Sequence, residues 1–544
     1  MESVEIMVSW KRQFRRALWC VCGASAILVS VATSQAVALV SPFRQAVAEA
    51  AAKYPEIAEF YRARAYDAVW TGEGSEFRDR RAALMKALAN AGNHALPTAS
   101  YGLDALKDML RGINSQRELG RAEVELSAVF LRYARDLRSG VLDPLRVDPH
   151  IDRTVPVRGA GSLLTEFSES DPDTFLRGLQ PSSAEYVRLL KARMILHQRL
   201  AEGGWGPPVP AESLRPGQAG PEVVALRNRL VAMGYMERSA VPTYDSTLQI
   251  AVQGFQVDNG LHPDGIAGVA TMTEINRQVE DRLRSVVVAL ERERWLNFPR
   301  GERHIWVNLA DFSAAIIDNG RITFRTRSVI GQDTDSRRSP EFSDAMEYLE
   351  INPSWYVPKS IAVNEFLPQM IESLGEAETH LQILTDKGEV LDRSLIDWSS
   401  VEPDSFPFVL RQAPGPANAL GYVKFMFPNE HNIYLHDTPE KALFSRERRD
   451  FSHGCIRLDS PFGFAYEILR PQIEDPEGFF HQILATGEQT YVNIAEPVPV
   501  HIVYRTALVS QEGRLNFRRD VYGRDMRIFA ALAKAGVTLA EAGA

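Results

Sequence analysis

The sequence predicts a multidomain α+β protein, with a helical scaffold, a compact three-helix module, and a mainly β region that carries an inserted cap. Three observations support this. Apolar residues recur at three- and four-residue steps from Ser41 to about Leu200, the period changes to alternation after His304, and glycine- and proline-rich segments separate the blocks. At 544 residues the chain exceeds a single core, since a domain takes roughly 100–200 residues.

Residues 1–40 come first. Lys11, Arg12, Arg15 and Arg16 precede the uncharged apolar run Ala17 to Ala32, which ends near Ala36-Val37-Ala38. That is the layout of a secretory signal or, left uncut, of an N-terminal membrane anchor. Either way the bulk of the chain is expected outside the cytoplasm. Residues 41–205 form the helical scaffold: Phe43, Val47, Ile57, Phe60 and Tyr61, then Leu126, Val129, Phe130, Tyr133 and Leu137, fall on helical faces. No catalytic spacing occurs there, and Trp70 is expected in the core.

Gly203 to Pro210 breaks both regular patterns and marks a boundary. The module over 211–278 follows. Pro221 to Met233 puts Val224, Leu226, Leu230 and Met233 on one helical face, Gly234 ends that helix, and Asp245 caps a second one carrying Leu248, Ala251, Val252 and Phe255. Asn259-Gly260 and Asp264-Gly265 are turns. Over 279–300 a charged amphipathic helix with Leu283, Val287, Leu290 and Trp295 is expected to return to the scaffold, which makes the module an insertion.

The β region spans 302–525. His304 to Leu309, Ala314 to Asp318 and Ile322 to Val329 alternate as strands, with Asp318-Asn319-Gly320 a hairpin turn. Tyr422 to Phe427 and Asn432 to His436 form another pair, and the sheet is expected to continue through His501 to Val509 and Leu515 to Arg518 as far as Tyr522. Residues 361–410 are polar, acidic and partly helical, and are expected as the cap. Residues 526–544 are left as a C-terminal tail. The net charge of −9 is mild and neither end carries a run of like charge, so nothing points to nucleic acid. No segment after residue 40 is apolar enough to span a membrane, so membrane contact is expected only through the N-terminal segment.

Of three cysteines, Cys20 and Cys22 lie in the export segment, leaving Cys455 alone in Ser452-His453-Gly454-Cys455-Ile456-Arg457-Leu458. In an oxidising compartment an unpaired cysteine is a liability unless its thiolate is used. A cysteine nucleophile needs a base, an acceptor that orients the base, and donors for the oxyanion. His436, 17 residues before His453, is the candidate base, and Asp437 can orient it through its carbonyl or its carboxylate. The N–H groups of Gly454 and Cys455 can serve the oxyanion. Ser460-Pro461 starts a helix, its serine capping, and the positive helix end favours thiolate. His431, His436, His453 and Cys455 together include zinc-ligand types, but their spacings match no finger pattern, and no metal or other cofactor is expected. His453 as the sole base is the remaining alternative.

Two resemblances follow from these residues. Leu226 to Leu230, Gly234-Tyr235, Ala251 to Gln256, Gly260-Leu261, Asp264 to Gly268 and Thr271 resemble the three-helix peptidoglycan-binding module. Arg227 stands where that family commonly has glutamine, and Met236 to Thr243 lacks its short glycine turn. Tyr434-Leu435-His436, the spacer and Ser452 to Leu458 resemble the signature of the L,D-transpeptidases with a YkuD-type catalytic domain. Asn352 to Ile361, Pro414 to Phe425 and Asp520 to Asp525 resemble their large multidomain periplasmic branch.

The resemblance implies that Cys455 attacks the stem peptide after its third residue, usually diaminopimelate. D-alanine leaves, and a second stem's amine resolves the thioester into a 3-3 cross-link. It implies His436 as general base, His453 as a supporting residue, Asp437 as the group orienting the base, Gly454 as an oxyanion donor, and Arg457, Tyr434, Ser452 and Trp355 at the substrate. Arg446, Arg448 and Arg449 are weaker candidates for substrate contact. The implied partners are peptidoglycan stem peptides and glycan, together with wall glycan polymerases and carboxypeptidases. Hydrolysis of the same acyl-enzyme, or a non-catalytic wall-binding role, are the alternatives.

Overall fold

The structure, a computed structural model, describes residues 41–510 and 512–539. The expected export segment, with Cys20 and Cys22, lies outside the described residues. Among the described residues no helix is long and apolar enough to cross a membrane.

Helices dominate as far as Trp295. The longest, Gln116–Ser139, starts where the Ser115 side chain accepts from the Glu118 N–H. It buries Leu126, Val129, Phe130 and Leu137 against Trp70, which is fully buried and stacked on Phe167 with ring centroids 4.9 Å apart. Glu123 on this helix is also fully buried. Its carboxylate accepts from Tyr61 Oη (2.7 Å), Thr71 Oγ1 (2.7 Å) and the Trp70 and Thr71 N–H groups (3.1 and 2.9 Å). Such satisfaction is what lets a carboxylate sit in an apolar core.

The module is built from helices Pro221–Ala232, Ser246–Asp258 and Val269–Ile275 around Leu226, Leu230, Leu248, Val252 and Phe255. Asp245 caps the second helix by accepting from the Leu248 N–H at 2.9 Å. Arg227, unusual in the sequence pattern, is 1% exposed and donates to the Thr243 carbonyl (2.8 Å) and Asp245 (3.1 Å). It therefore braces the atypical Met236 to Thr243 loop from inside. Helix Val279–Trp295 shares a core with Ala184–Ala201. Its charges face inward: Glu291 pairs with Arg294 (2.8 Å), Glu293 with Arg505, and Arg292 with Glu341 (2.6 Å).

The β region contains β1 (Arg303–Asn308), β2 (Ser313–Asp318), β3 (Arg321–Gly331), β4 (Ser343–Ile351), β5 (Trp355–Tyr356), β6 (Leu381–Leu384), β7 (Val390–Leu391), β8 (Val409–Gln412), β9 (Val423–Met426), β10 (Leu435–His436), β11 (Asp450–Ser452), β12 (Ile456–Leu458), β13 (Thr490–Val503), β14 (Ala507–Val509) and β15 (Leu515–Phe517). The main sheet runs β11-β3-β12-β10-β9-β4-β13-β1-β2, and β2 also pairs with β3, so eight strands close on themselves with β11 attached to β3. Asn319 and Gly320 turn the β2–β3 hairpin at φ 51° and 76°, the left-handed conformation that suits asparagine and glycine. Leu349, Ile351, Val423, Phe425, Leu435, Ile456 and Leu458 point into the core, against Phe464 and Ile468 of helix Pro461–Leu469.

Three expectations change. Residues 507–517 do not extend the main sheet: β14 and β15 form a separate ribbon whose Ala507, Val509 and Phe517 pack into the core beside Val279–Trp295. The expected tail begins with a helix, Arg524–Lys534, because Ile528 and Leu532 complete that same core. The cap is wider than 361–410 and is not merely polar. Its sheet, β5-β8-β6-β7, draws in Trp355 and Gln412 as paired residues and encloses Leu367, Met370, Ile383, Trp398 and Leu410.

Candidate active site

A polar row crosses the outer face of the sheet. Glu350 of β4, Lys424 of β9, His436 of β10 and Arg457 of β12 are successive register partners. Their chain neighbours Leu349, Phe425, Leu435 and Ile456 are buried, so strand alternation turns this row away from the core. β10 and β12 run parallel, which brings Cys455, just before β12, beside Tyr434, just before β10.

His436 is 4% exposed, and its Nδ1 donates to the Asp437 carbonyl at 2.5 Å. A carbonyl can only accept, so Nδ1 carries the proton and Nε2 is left as the basic nitrogen. Burial, reinforced by the Arg457 charge and by Lys424 and Lys441, pulls the imidazole down to about 3. Of the two ways Asp437 might orient the base, the structure uses the carbonyl. The carboxylate instead accepts from the N–H groups of Tyr422 (2.9 Å) and Thr438 (2.7 Å) and pairs with Lys441 Nζ (2.6 Å).

The half-buried Cys455 thiol donates to the Asn432 carbonyl at 3.7 Å. Asn432 has φ 54°, and Asn429 shapes this turn by accepting from the His431 and Ile433 N–H groups and donating to the Phe427 and Ile433 carbonyls (2.6 and 2.7 Å). Burial pushes the thiol up. The Tyr434 N–H, the Tyr434 hydroxyl, and then the Lys424 and Arg457 charges oppose that push. Lys424 Nζ lies 4.3 Å from the Tyr434 ring centroid and 3.4 Å from Glu350 Oε1. No hydrogen bond joins His436 to the sulfur among the described residues, as is common for catalytic pairs before substrate binds.

The loop before Cys455 corrects two assignments. Gly454, at φ 123°, gives its N–H to Ser452 Oγ (3.2 Å) and its carbonyl accepts from Ser339 Oγ (2.6 Å). Its N–H is therefore committed, while the Cys455 N–H has no acceptor among the described residues. Ser452, 2% exposed, donates to the Cys455 carbonyl (2.5 Å) and so shapes the loop from inside instead of meeting substrate. Ser460 makes no side-chain cap on the following helix.

The remaining candidates separate. Arg457 stays in the row and pairs with Glu440. Trp355 lies at the root of the cap, packed edge-on against Phe366 at 6.1 Å. His453 Nε2 meets Glu365, on a π-helical turn of the cap, at 2.6 Å. His431 turns to Asp152 at 2.9 Å. Arg448 pairs with Asp450 (2.6 Å), Arg449 donates to the Ser328 carbonyl (3.2 Å), and Arg446 covers the Phe451 ring, so all three act within the structure. Sequence reasoning missed Lys424, Glu350, Asn432, Ser339 and Glu365. Polar positions alternating with Leu349, Ile351, Val423 and Phe425 could have revealed Glu350 and Lys424; the other three carry no local signal.

Comparison with known proteins agrees with this architecture. Residues 302–500 match the model described as "L,D-transpeptidase catalytic domain", 219–275 that of a "Putative peptidoglycan binding domain", and 55–192 that of a "Scaffold domain". A "Putative L,D-transpeptidase" from Haemophilus influenzae is 32% identical over 242 residues, 44% of this chain and 48% of that protein, so the match spans about half the length of this curated relative. A solved L,D-transpeptidase structure from Xylanimonas cellulosilytica is 15% identical, covering 55% of this chain and 100% of its own, with a TM-score of 0.17. One from Stackebrandtia nassauensis is 14% identical, covering 55% and 96%, with a TM-score of 0.21. The chain is thus a large multidomain protein that carries an L,D-transpeptidase catalytic domain of the YkuD family together with a peptidoglycan-binding domain.

Proposed function

We propose that the protein is a peptidoglycan L,D-transpeptidase acting outside the cytoplasm in wall biogenesis, with Cys455 as its nucleophile. The observation that carries this reading is a neutral His436, its Nδ1 tied to the Asp437 carbonyl, on a strand parallel to the one that Cys455 immediately precedes. His436 Nε2 takes the thiol proton as sulfur attacks the carbonyl of the third stem residue, diaminopimelate, that forms the peptide bond to D-alanine. The Cys455 N–H meets the oxyanion, and the imidazolium then protonates the departing D-alanine amine. The products are free D-alanine and a thioester on Cys455. A second stem's amine cleaves that thioester into a 3-3 cross-link and returns the thiol. Arg457 and Lys424, both on the row, supply positive charge for the substrate's carboxylates.

The test is incubation of the protein with tetrapeptide muropeptides. New 3-3 dimers together with free D-alanine support transfer, and both are expected to disappear in Cys455→Ala. Tripeptide products alone would replace this reading with hydrolysis. Full cellular function in Cys455→Ala would replace it with a wall-binding role.

A further inference from the structure

A histidine–carboxylate pair is held on the cysteine loop and has no part in the acylation step. Two residues before Cys455, His453 Nε2 meets Glu365 Oε1 at 2.6 Å. The same oxygen receives Arg337 at 2.6 Å, and Arg337 is braced by Gln332 Oε1 at 2.9 Å. His453 belongs to the cysteine loop, Arg337 to the segment after β3, and Glu365 to the π-helical turn Ala362–Phe366 of the cap. A π-helical turn is uncommon and recurs at functional positions. His453 and Glu365 side chains are 33% and 31% exposed, so the pair is open to solvent where His436 is closed to it.

The two imidazoles are held in opposite tautomers. Glu365, an acceptor, keeps the proton of a neutral His453 on Nε2 and leaves Nδ1 basic, whereas the Asp437 carbonyl keeps that of His436 on Nδ1 and leaves Nε2 basic. The acyl acceptor is an amine that arrives protonated and must lose one proton before it can attack. His436 has by then passed its proton to D-alanine and, at 4% exposed, is closed to an amine arriving from solvent.

We propose that His453 is the base for the acceptor, and that Glu365 is a cap-borne positioning residue fixing its tautomer and supporting its charge. The proposal rests on the thioester reading above. The acceptor ammonium gives one proton to His453 Nδ1, the freed amine attacks the thioester carbonyl, and the C–S bond breaks as the C–N bond forms. The second amine proton goes to the departing thiolate through His436. His453 then loses its proton to solvent.

The full chain is assayed in two half-reactions: acylation of Cys455 by a tetrapeptide stem, read by intact mass, and partition of the acyl-enzyme between an added diaminopimelate-bearing stem and water, read by product analysis. Glu365→Gln is expected to lower the ratio of transfer to hydrolysis by ~10-fold or more while acylation changes by less than about twofold, and Glu365→Asp to recover part of it. A cap that merely loosened would move acylation too. An equal fall in both half-reactions, or an unchanged partition ratio, overturns the proposal. Absence of any Cys455 acylation in the wild type would instead overturn the thioester reading itself, and this inference with it.

Discussion

Tyr434→Phe isolates a single interaction at the nucleophile. The phenol hydroxyl, with the Tyr434 N–H and the charges of Lys424 and Arg457, opposes the burial that pushes the Cys455 thiol up. Phenylalanine keeps the ring, and with it the Lys424 contact at 4.3 Å, and removes only the donor. A hydrogen bond to a charged group contributes about 1.5–3 kcal/mol, and about 1.4 kcal/mol corresponds to one pKa unit. The donor acts on the thiolate and hardly at all on the thiol, so its loss raises the thiol further, by about 1–2 units. At fixed neutral pH this lowers the rate of Cys455 alkylation by about 10–100-fold. The assay is the pH dependence of iodoacetamide alkylation, followed by intact mass. Cys455 is the only cysteine after residue 22, so protein lacking residues 1–40 reports a single site. An alkylation profile in Tyr434→Phe that overlays the wild type would refute the assignment of the hydroxyl to the thiolate.

Because His436 is held neutral down to about 3, single-turnover acylation should show no loss between pH 7 and pH 5; half-loss near 6.5, the ordinary imidazole value, would place the base elsewhere. The same depression acts on stability. Between about 6.5 and 3 the unfolded chain binds a proton that folded His436 refuses, so stability falls as pH drops through that window, and the difference between wild type and His436→Asn should shrink with it. Arg524→Met should destabilise by about 3–5 kcal/mol, read as a lower urea midpoint, because Arg524 is fully buried and its removal leaves Glu341 (3.1 Å) without one partner and the Ser339 carbonyl (2.8 Å) without its donor. Ser339→Ala should cost about 1–3 kcal/mol through the lost bonds to the Gly454 carbonyl and the Gly331 N–H, and should slow acylation while leaving the His436 acid limb in place; unchanged acylation would show that the cysteine loop holds its shape without it.

The sequence shows the helical blocks, the β2–β3 hairpin and the cysteine loop because each is set by local chemistry. Helical and alternating periods mark what will be buried, Asn319-Gly320 accepts left-handed backbone at little cost, and Ser452 to Leu458 keeps its signature within seven residues. It misplaces β14 and β15 because alternation at Ala507 to Val509 says that one face is buried but not against which core.

What the sequence alone determined is which groups are candidates: Cys455, the only cysteine after residue 22, a histidine 17 residues ahead of its loop histidine, and a module of recognisable pattern. What only the tertiary structure decided is what each group is bonded to. The Asp437 carbonyl and not its carboxylate fixes His436, Ser452 consumes the Gly454 N–H, and Glu365, 88 residues from His453 in sequence, reaches it from the cap. Hydrogen bonds form between atoms within about 3 Å, and the closing of the sheet and the folding back of the cap bring distant positions to that range. A linear spacing can name the base and the nucleophile, but which nitrogen carries the proton depends on the atom that the fold places opposite it.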